Sequence, residues 1–306
     1  MKLAHFLLAL TVLWSHAVFG GELVIRHVKP ESPDDPRHLY YLEVLKLALD
    51  QTRATDGPYR LETSNDIMYQ QRALKSLETD RGVNVVWTMT TSTRESRFRP
   101  VRIPLLKGLL GYRIFLIRKG DQARFSAVRS LDDLRQLTAG QSSDWPDTKI
   151  LRSNGLKVVG GVSYRGLFSM LKLGRFDYFP RGANEPWAEL RTHRGQGLAV
   201  EQSLMLEYPA PIYFFVNRQD SQLADRLERG LRLAIADGSF EHLFVTHPSI
   251  REVMDRAHIG QRRIFKLDNP LLTPETPLND RSLWFDPATE AGPIRPPQHP
   301  PNGKRQ

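Results

Sequence analysis

Val85-Val86-Trp87-Thr88-Met89-Thr90-Thr91-Ser92-Thr93-Arg94-Glu95 reads as a strand that runs out into hydroxyl residues and ends in an arginine. Val85, Val86 and Trp87 suit a buried strand, whereas the five Ser and Thr that follow, interrupted by Met89, suit a strand end open to solvent. Ligands of open α/β sheets bind just beyond such strand ends. Hydroxyls and backbone N–H groups beside a planar guanidinium make a receptor for a carboxylate. Thr88, Thr90 and Arg94 are therefore candidate ligand-binding residues, and Trp87 suits either stacking on a ligand or filling a hinge.

Upstream, residues 23–28 form a short β-branched run. Asp35-Pro36 is a helix start, and Leu39, Leu42, Leu45 and Leu49 recur at helical spacing until Asp56-Gly57-Pro58. Tyr41 fits that apolar face. A strand over 59–62, a helix over 69–79 and a strand over 83–87 follow. This β-α-β-α-β order predicts a parallel sheet flanked by helices.

Downstream the pattern repeats. Residues 109–118 predict a strand, and Ser130-Leu131-Asp132-Asp133-Leu134 a helix with its cap and early acids. Asp147 is read as the cap of a helix closing at Asn154-Gly155. Val158-Val159 is a brief strand, Ser163 precedes a helix to Leu171, and strands are read over 176–179 and 212–216. Leu223, Leu227, Leu231 and Ile235 share one face of a helix over 222–236.

A length of 306 residues suits about two domains. The absence of Cys removes disulfides, thiolate chemistry, Cys-ligated metal and lipid anchors on sulfur. Neither an H-E-x-x-H motif nor a phosphate-binding loop is present, and Gly161-Val162-Ser163-Tyr164-Arg165-Gly166 misses the nucleophile elbow by one residue. His242 and His247, five apart, do not share a helical face for metal. No cofactor, metal ligand or catalytic residue is expected. Lys2 and the apolar run after it read as a cleaved signal peptide over 1–20, too short to span a membrane. The expected compartment is the periplasm, with no lipoprotein anchor and, despite a net charge of +9, no nucleic-acid partner. Nine of the 21 prolines follow Asn269, so 266–306 reads as an extended, partly disordered tail with Leu283-Trp284-Phe285 docked back.

Residues 22–247 resemble the family 3 extracellular solute-binding proteins, polar amino-acid receptors of ABC importers. The resemblance rests on Thr88 to Arg94, Gly111 to Asp121, Ser130 to Leu134, Leu173-Gly174-Arg175-Phe176-Asp177 and Ala236-Asp237-Gly238-Ser239-Phe240, in the family's order. It implies an α/β periplasmic-binding-protein type II fold of two lobes, each a mainly parallel sheet flanked by helices, joined by two hinge crossovers. Lobe I would comprise 21–108 and 212–265, and lobe II 109–211. The family grips a ligand carboxylate with the arginine matched by Arg94. Its ammonium-binding acid falls here near Arg181-Gly182, with Glu185 displaced, so an α-amino acid would lack its usual partner. Lobe II offers Ser142 and Ser143 before a helix N-terminus, where anions are favoured, together with Asp144, Arg181 and Glu185. The expected function is capture of a small anionic or zwitterionic solute by lobe closure, without catalysis. The protein would be a monomer serving an ABC permease or a membrane sensor. The alternative is a cyclohexadienyl dehydratase-like enzyme on the same scaffold, using Glu185 or Asp144.

Overall fold

Short β-branched runs separated by amphipathic helices build three sheets in a computed structural model that describes residues 22–30, 36–79 and 81–286. The strands are β1 (Leu23–Lys29), β2 (Tyr59–Ile67), β3 (Val86–Met89), β4 (Phe98–Val101), β5 (Tyr112–Arg118) and β6 (Thr138–Ser142). They continue with β7 (Lys157–Gly161), β8 (Tyr178–Gly182), β9 (Leu198–Val200), β10 (Leu204–Glu207), β11 (Ile212–Asn217) and β12 (Arg263–Lys266).

In the first lobe β1 and β2 pair in parallel across the helix Pro36–Gln51. The amides of Asn84 and Val85 both donate to Arg26 O, which sets the approach to β3 beside β1. Strand β11 lies between β3 and β4, antiparallel to both. Helix Pro36–Gln51 packs on helix Ser221–Ala236, where Gly230 is needed because a Cβ would overlap the Ala48 carbonyl. The buried stripe of the first helix is Tyr40, Tyr41, Val44, Leu45, Ala48 and Leu49. Leu39, expected on that stripe, is instead exposed, because Tyr40 and Tyr41 take the inward positions of its turn. The Asp35 cap lies outside the described residues.

The seven-stranded sheet runs β12-β10-β5-β8-β6-β7, with β9 also paired to β5. Strand β6 is parallel to β7 and β8, whereas β5 runs antiparallel to β8, β9 and β10. Gly140 in β6 lies under the Phe176 ring, which would overlap any Cβ there.

Three expectations change. The helix Pro146–Ser153 begins with Trp145 at its cap position, and Asp147 points instead to a buried arginine described below. Strand β12 pairs with β10 in the seven-stranded sheet, and not with the strands that precede β5 in the chain. The described part of the tail is packed: Leu267, Leu271, Leu283 and Phe285 are buried, so that the docked Leu283-Trp284-Phe285 is part of a longer ordered segment. Residues 287–306 and the expected signal peptide lie outside the described residues.

Candidate functional site

The ends of β1, β3, β6 and β8 face a cleft of about 290 Å³ between the lobes. Strand β3 delivers Trp87 and Thr88 to its first wall. The turn beyond β3 is shorter than the sequence suggests. Thr91 caps the helix Ser92–Arg97 by accepting from Arg94 N at 3.1 Å, so Arg94 sits on a helix and points back under the strand end. Its guanidinium donates to Thr88 Oγ1 at 2.8 Å, to Met89 O at 2.6 Å and to Gln70 Oε1. Thr88 and Gln70 line the cleft, and Arg94, 8% exposed, lies just behind them.

All these partners of Arg94 are neutral. Burial pushes its guanidinium down to about 10, and the charge acting in the opposite direction is Asp147 of the second lobe. Arg94 is therefore a desolvated cation behind a wall of neutral acceptors. Thr90 takes no part in that wall. It is fully buried, its hydroxyl donates to Glu95 Oε1 at 2.6 Å, and it lies away from the cleft, because β3 ends at Met89 and Thr90 already belongs to the turn into the next helix, with its amide on Pro211 O.

Trp87 stacks on Tyr41 at a ring separation of 5.8 Å and contacts His27 and His38, giving the first lobe an aromatic wall. Tyr41, read as a core residue, thus serves the core and the cleft together.

On the second lobe Ser142 and Asp144 line the cleft. Ser143 does not: it is exposed, its amide donates to Gly161 O, and its hydroxyl packs toward Gly160, since alternation past β6 carries it to the other side. Arg181 lines the cleft but is not available as a second free cation. Its Nε donates to both oxygens of Glu189 at 2.9 Å, and its Nη2 reaches Glu189 at 2.7 Å and Glu185 at 2.9 Å. The rings of Trp145 and Phe179 flank it at 4.8 and 4.7 Å. Burial opposes its charge, but the two carboxylates more than compensate and raise its pKa. Glu185 also accepts from Gly182 N at 2.7 Å.

The sequence reading missed Arg113. It lies in β5, 2% exposed, lines the cleft, and pairs with Asp147 at 2.6 Å. The available signal was a charge inside the apolar run Ile114-Phe115-Leu116-Ile117 of a strand buried on both faces. Among the histidines, His247 Nδ1 accepts from Ser249 N, capping helix Pro248–Arg256.

Solved structures with this fold are numerous. An ancestral arginine-binding protein bound to arginine superposes with a TM-score of 0.55 at 16% identity, over 75% of this chain and 99% of that one. The probable amino-acid ABC transporter extracellular-binding protein ytmK from Bacillus subtilis gives 0.55 at 18%, over 74% and 98%. A histidine kinase sensor domain with similarity to periplasmic binding proteins gives 0.53 at 15%, over 75% and 97%. The chain has the periplasmic-binding-protein fold. No protein-family model matches it, and no curated protein matches it in sequence. In this fold the cleft described above is the space between the two lobes. Among the described residues no helix is long and apolar enough to cross a membrane.

Proposed function

We propose that the protein is a periplasmic solute receptor that captures a small anionic or zwitterionic solute by lobe closure, for ABC import or for sensing by a membrane partner. The observation that supports this reading is Arg94: a buried guanidinium held behind the cleft by Thr88, Met89 O and Gln70, with neutral partners only. A solute carboxylate meets the Thr88 hydroxyl and takes the guanidinium hydrogens now given to the Gln70 carboxamide. The exchange replaces a neutral acceptor by a charged one in a site shielded from water, where such bonds are strong. Trp87 and Tyr41 cover one side of the solute, Ser142 and Trp145 the other. Closure follows because the second set of contacts is made only when the lobes approach. Arg181 and Glu185 act through their ion pair, which shapes the wall without adding a free cation.

A binding role fits the cleft better than dehydratase-like chemistry. Glu185 is engaged by Gly182 N and Arg181, which leaves exposed Asp144 as the remaining acid considered for that alternative. Cleavage of 1–20 would release the receptor as a monomer.

Isothermal titration with a panel of small carboxylates tests the assignment. Arg94→Gln is expected to weaken every acid that binds by tenfold or more, on the order of 1.4 kcal/mol. X-ray scattering is expected to show the radius of gyration contracting when the best acid is added. Unchanged affinity in the variant would overturn the site.

A further inference from the structure

Arg113 and Asp147, both lining the cleft, form an ion pair at 2.6 Å, and the Asp147 charge also acts through space on Arg94. Tyr208 fixes the group by donating to Asp147 Oδ1 at 2.5 Å while its ring lies 5.2 Å from the Arg113 guanidinium. Within this group of three, two cations face one carboxylate, while Asp144 is a further acid of the same cleft. Arg113 Nε, on a side chain 2% exposed, has no hydrogen-bond acceptor among the described residues. Asn184 is 6% exposed, lines the same wall, and its Oδ1 has no donor there. Native proteins seldom leave buried polar atoms unmet, and each such case calls for a physical reason. Here the two are complementary: one N–H requires an acceptor, one oxygen requires a donor, and both belong to residues that border the cleft.

We propose that Arg113, Asn184 and the Ser142 hydroxyl form a second ligand subsite on the second lobe. The ligand class is a small diacid carrying a hydroxyl or amide N–H group. One carboxylate goes to Arg94 and Thr88, and the other accepts from Arg113 Nε. The hydroxyl or N–H donates to Asn184 Oδ1. This inference rests on the receptor reading above and adds to it a second anchor on the opposite wall. Glu185 and Glu189 are occupied by Arg181, so beside that ion pair the unmet groups of the second-lobe wall, among the described residues, are the Arg113 N–H and the Asn184 oxygen, with Asp144 the remaining acid of the wall.

The test is isothermal titration of the whole protein with two matched series, the diacids succinate, malate, glutarate and adipate against butanoate, pentanoate and hexanoate. The best diacid is expected to bind at least tenfold more tightly than its monoacid counterpart, and malate more tightly than succinate. In the double variant Arg113→Gln/Asp147→Asn, which keeps a hydrogen-bonding pair and leaves no lone buried charge, the diacid preference is expected to fall to within about threefold. Asn184→Leu leaves that ion pair intact and is expected to abolish the preference for malate over succinate. It supplies an independent reading if the double variant fails to fold. Equal binding of monoacids and diacids by the native protein overturns the second subsite and leaves the receptor assignment standing. Binding of neither series overturns both.

Discussion

Desolvating a guanidinium is costly, and three arginines around this cleft meet that cost differently. Arg181 is surrounded by Glu185, Glu189 and aromatic rings and keeps its charge firmly. Arg113 has one carboxylate and an unused N–H. Arg94 has neutral acceptors and a depressed pKa, so it gains most from an incoming anion. Histidine follows the same logic in the first-lobe wall. His27 is 3% exposed beside His38 and Trp87, and burial lowers its pKa although its Nδ1–H bond to Val28 O pulls the other way. The unfolded chain then takes up a proton near pH 6.5 while the folded chain resists. Stability is complete above about pH 6.5 and is lost as pH falls from there toward the lowered folded value. Melting curves at pH 7.5, 6.5 and 5.5 are expected to show this decline in the native protein and a shallower one in His27→Gln. Residual slope is expected from His247, which burial also lowers. Equal slopes in both proteins would remove His27 from the account.

Single elements decide which of these residues reach the cleft. Helix Ser92–Arg97 has six residues, too short to be stable alone, and depends on its Thr91 cap. Thr91→Ala is expected to cost about 1 kcal/mol of folding stability in chemical denaturation. It is also expected to weaken solute binding severalfold, because the capped amide is that of Arg94. Stability loss with unchanged binding would mean that Arg94 is positioned by its side-chain bonds alone. The elements legible in the sequence are those whose burial is one-sided or continuous. Leu223, Leu227 and Leu231 fall on the buried face of helix Ser221–Ala236 as their spacing predicts, and Ser163 caps helix Tyr164–Lys172. Strand β6 was not legible, because Thr138-Ala139-Gly140-Gln141-Ser142 lacks β-branched apolar residues, and its place in the sheet is set by Phe176 packing on Gly140. In the site, Thr88 and Trp87 were legible from the strand end, whereas Ser143 was misplaced by one step of pleat and Thr90 by the end of β3 at Met89, after which Glu95 holds its hydroxyl. The pairing of Arg181 with Glu189 was not, since it joins β8 to the helix Pro186–Thr192, an element that propensity did not announce.

At the scale of the whole molecule, the segment after β12 ties the hinge to both walls of the cleft. Asp268 exchanges hydrogen bonds with Asn154, at the C-terminal end of the helix whose first turn holds Asp147. Asn269 Nδ2 donates to Pro209 O at 2.7 Å, on the approach to β11. Leu271 O accepts from Ser92 N at 2.8 Å, and Thr273 Oγ1 donates to Glu95 Oε2 at 3.3 Å, so the strap also holds the helix that carries Arg94. Phe285 N then bonds Lys107 O at 2.6 Å, and the Trp284 ring covers Gly108, where the chain turns through positive φ into the second lobe. Burial of Leu271, Leu283 and Phe285 contributes about 1.5–3 kcal/mol each. Truncation after Lys266 is therefore expected to lower the melting temperature by on the order of 10 °C. It is also expected to reduce solute affinity, because the Arg94 helix loses its outer support. Asn269→Ala removes one hinge tie while leaving the apolar anchors, and is expected to shift melting by only a few degrees. A truncated protein that melts within about 2 °C of the native one would show that the strap merely rests on the body, since apolar anchors on both lobes should act on the stability of both.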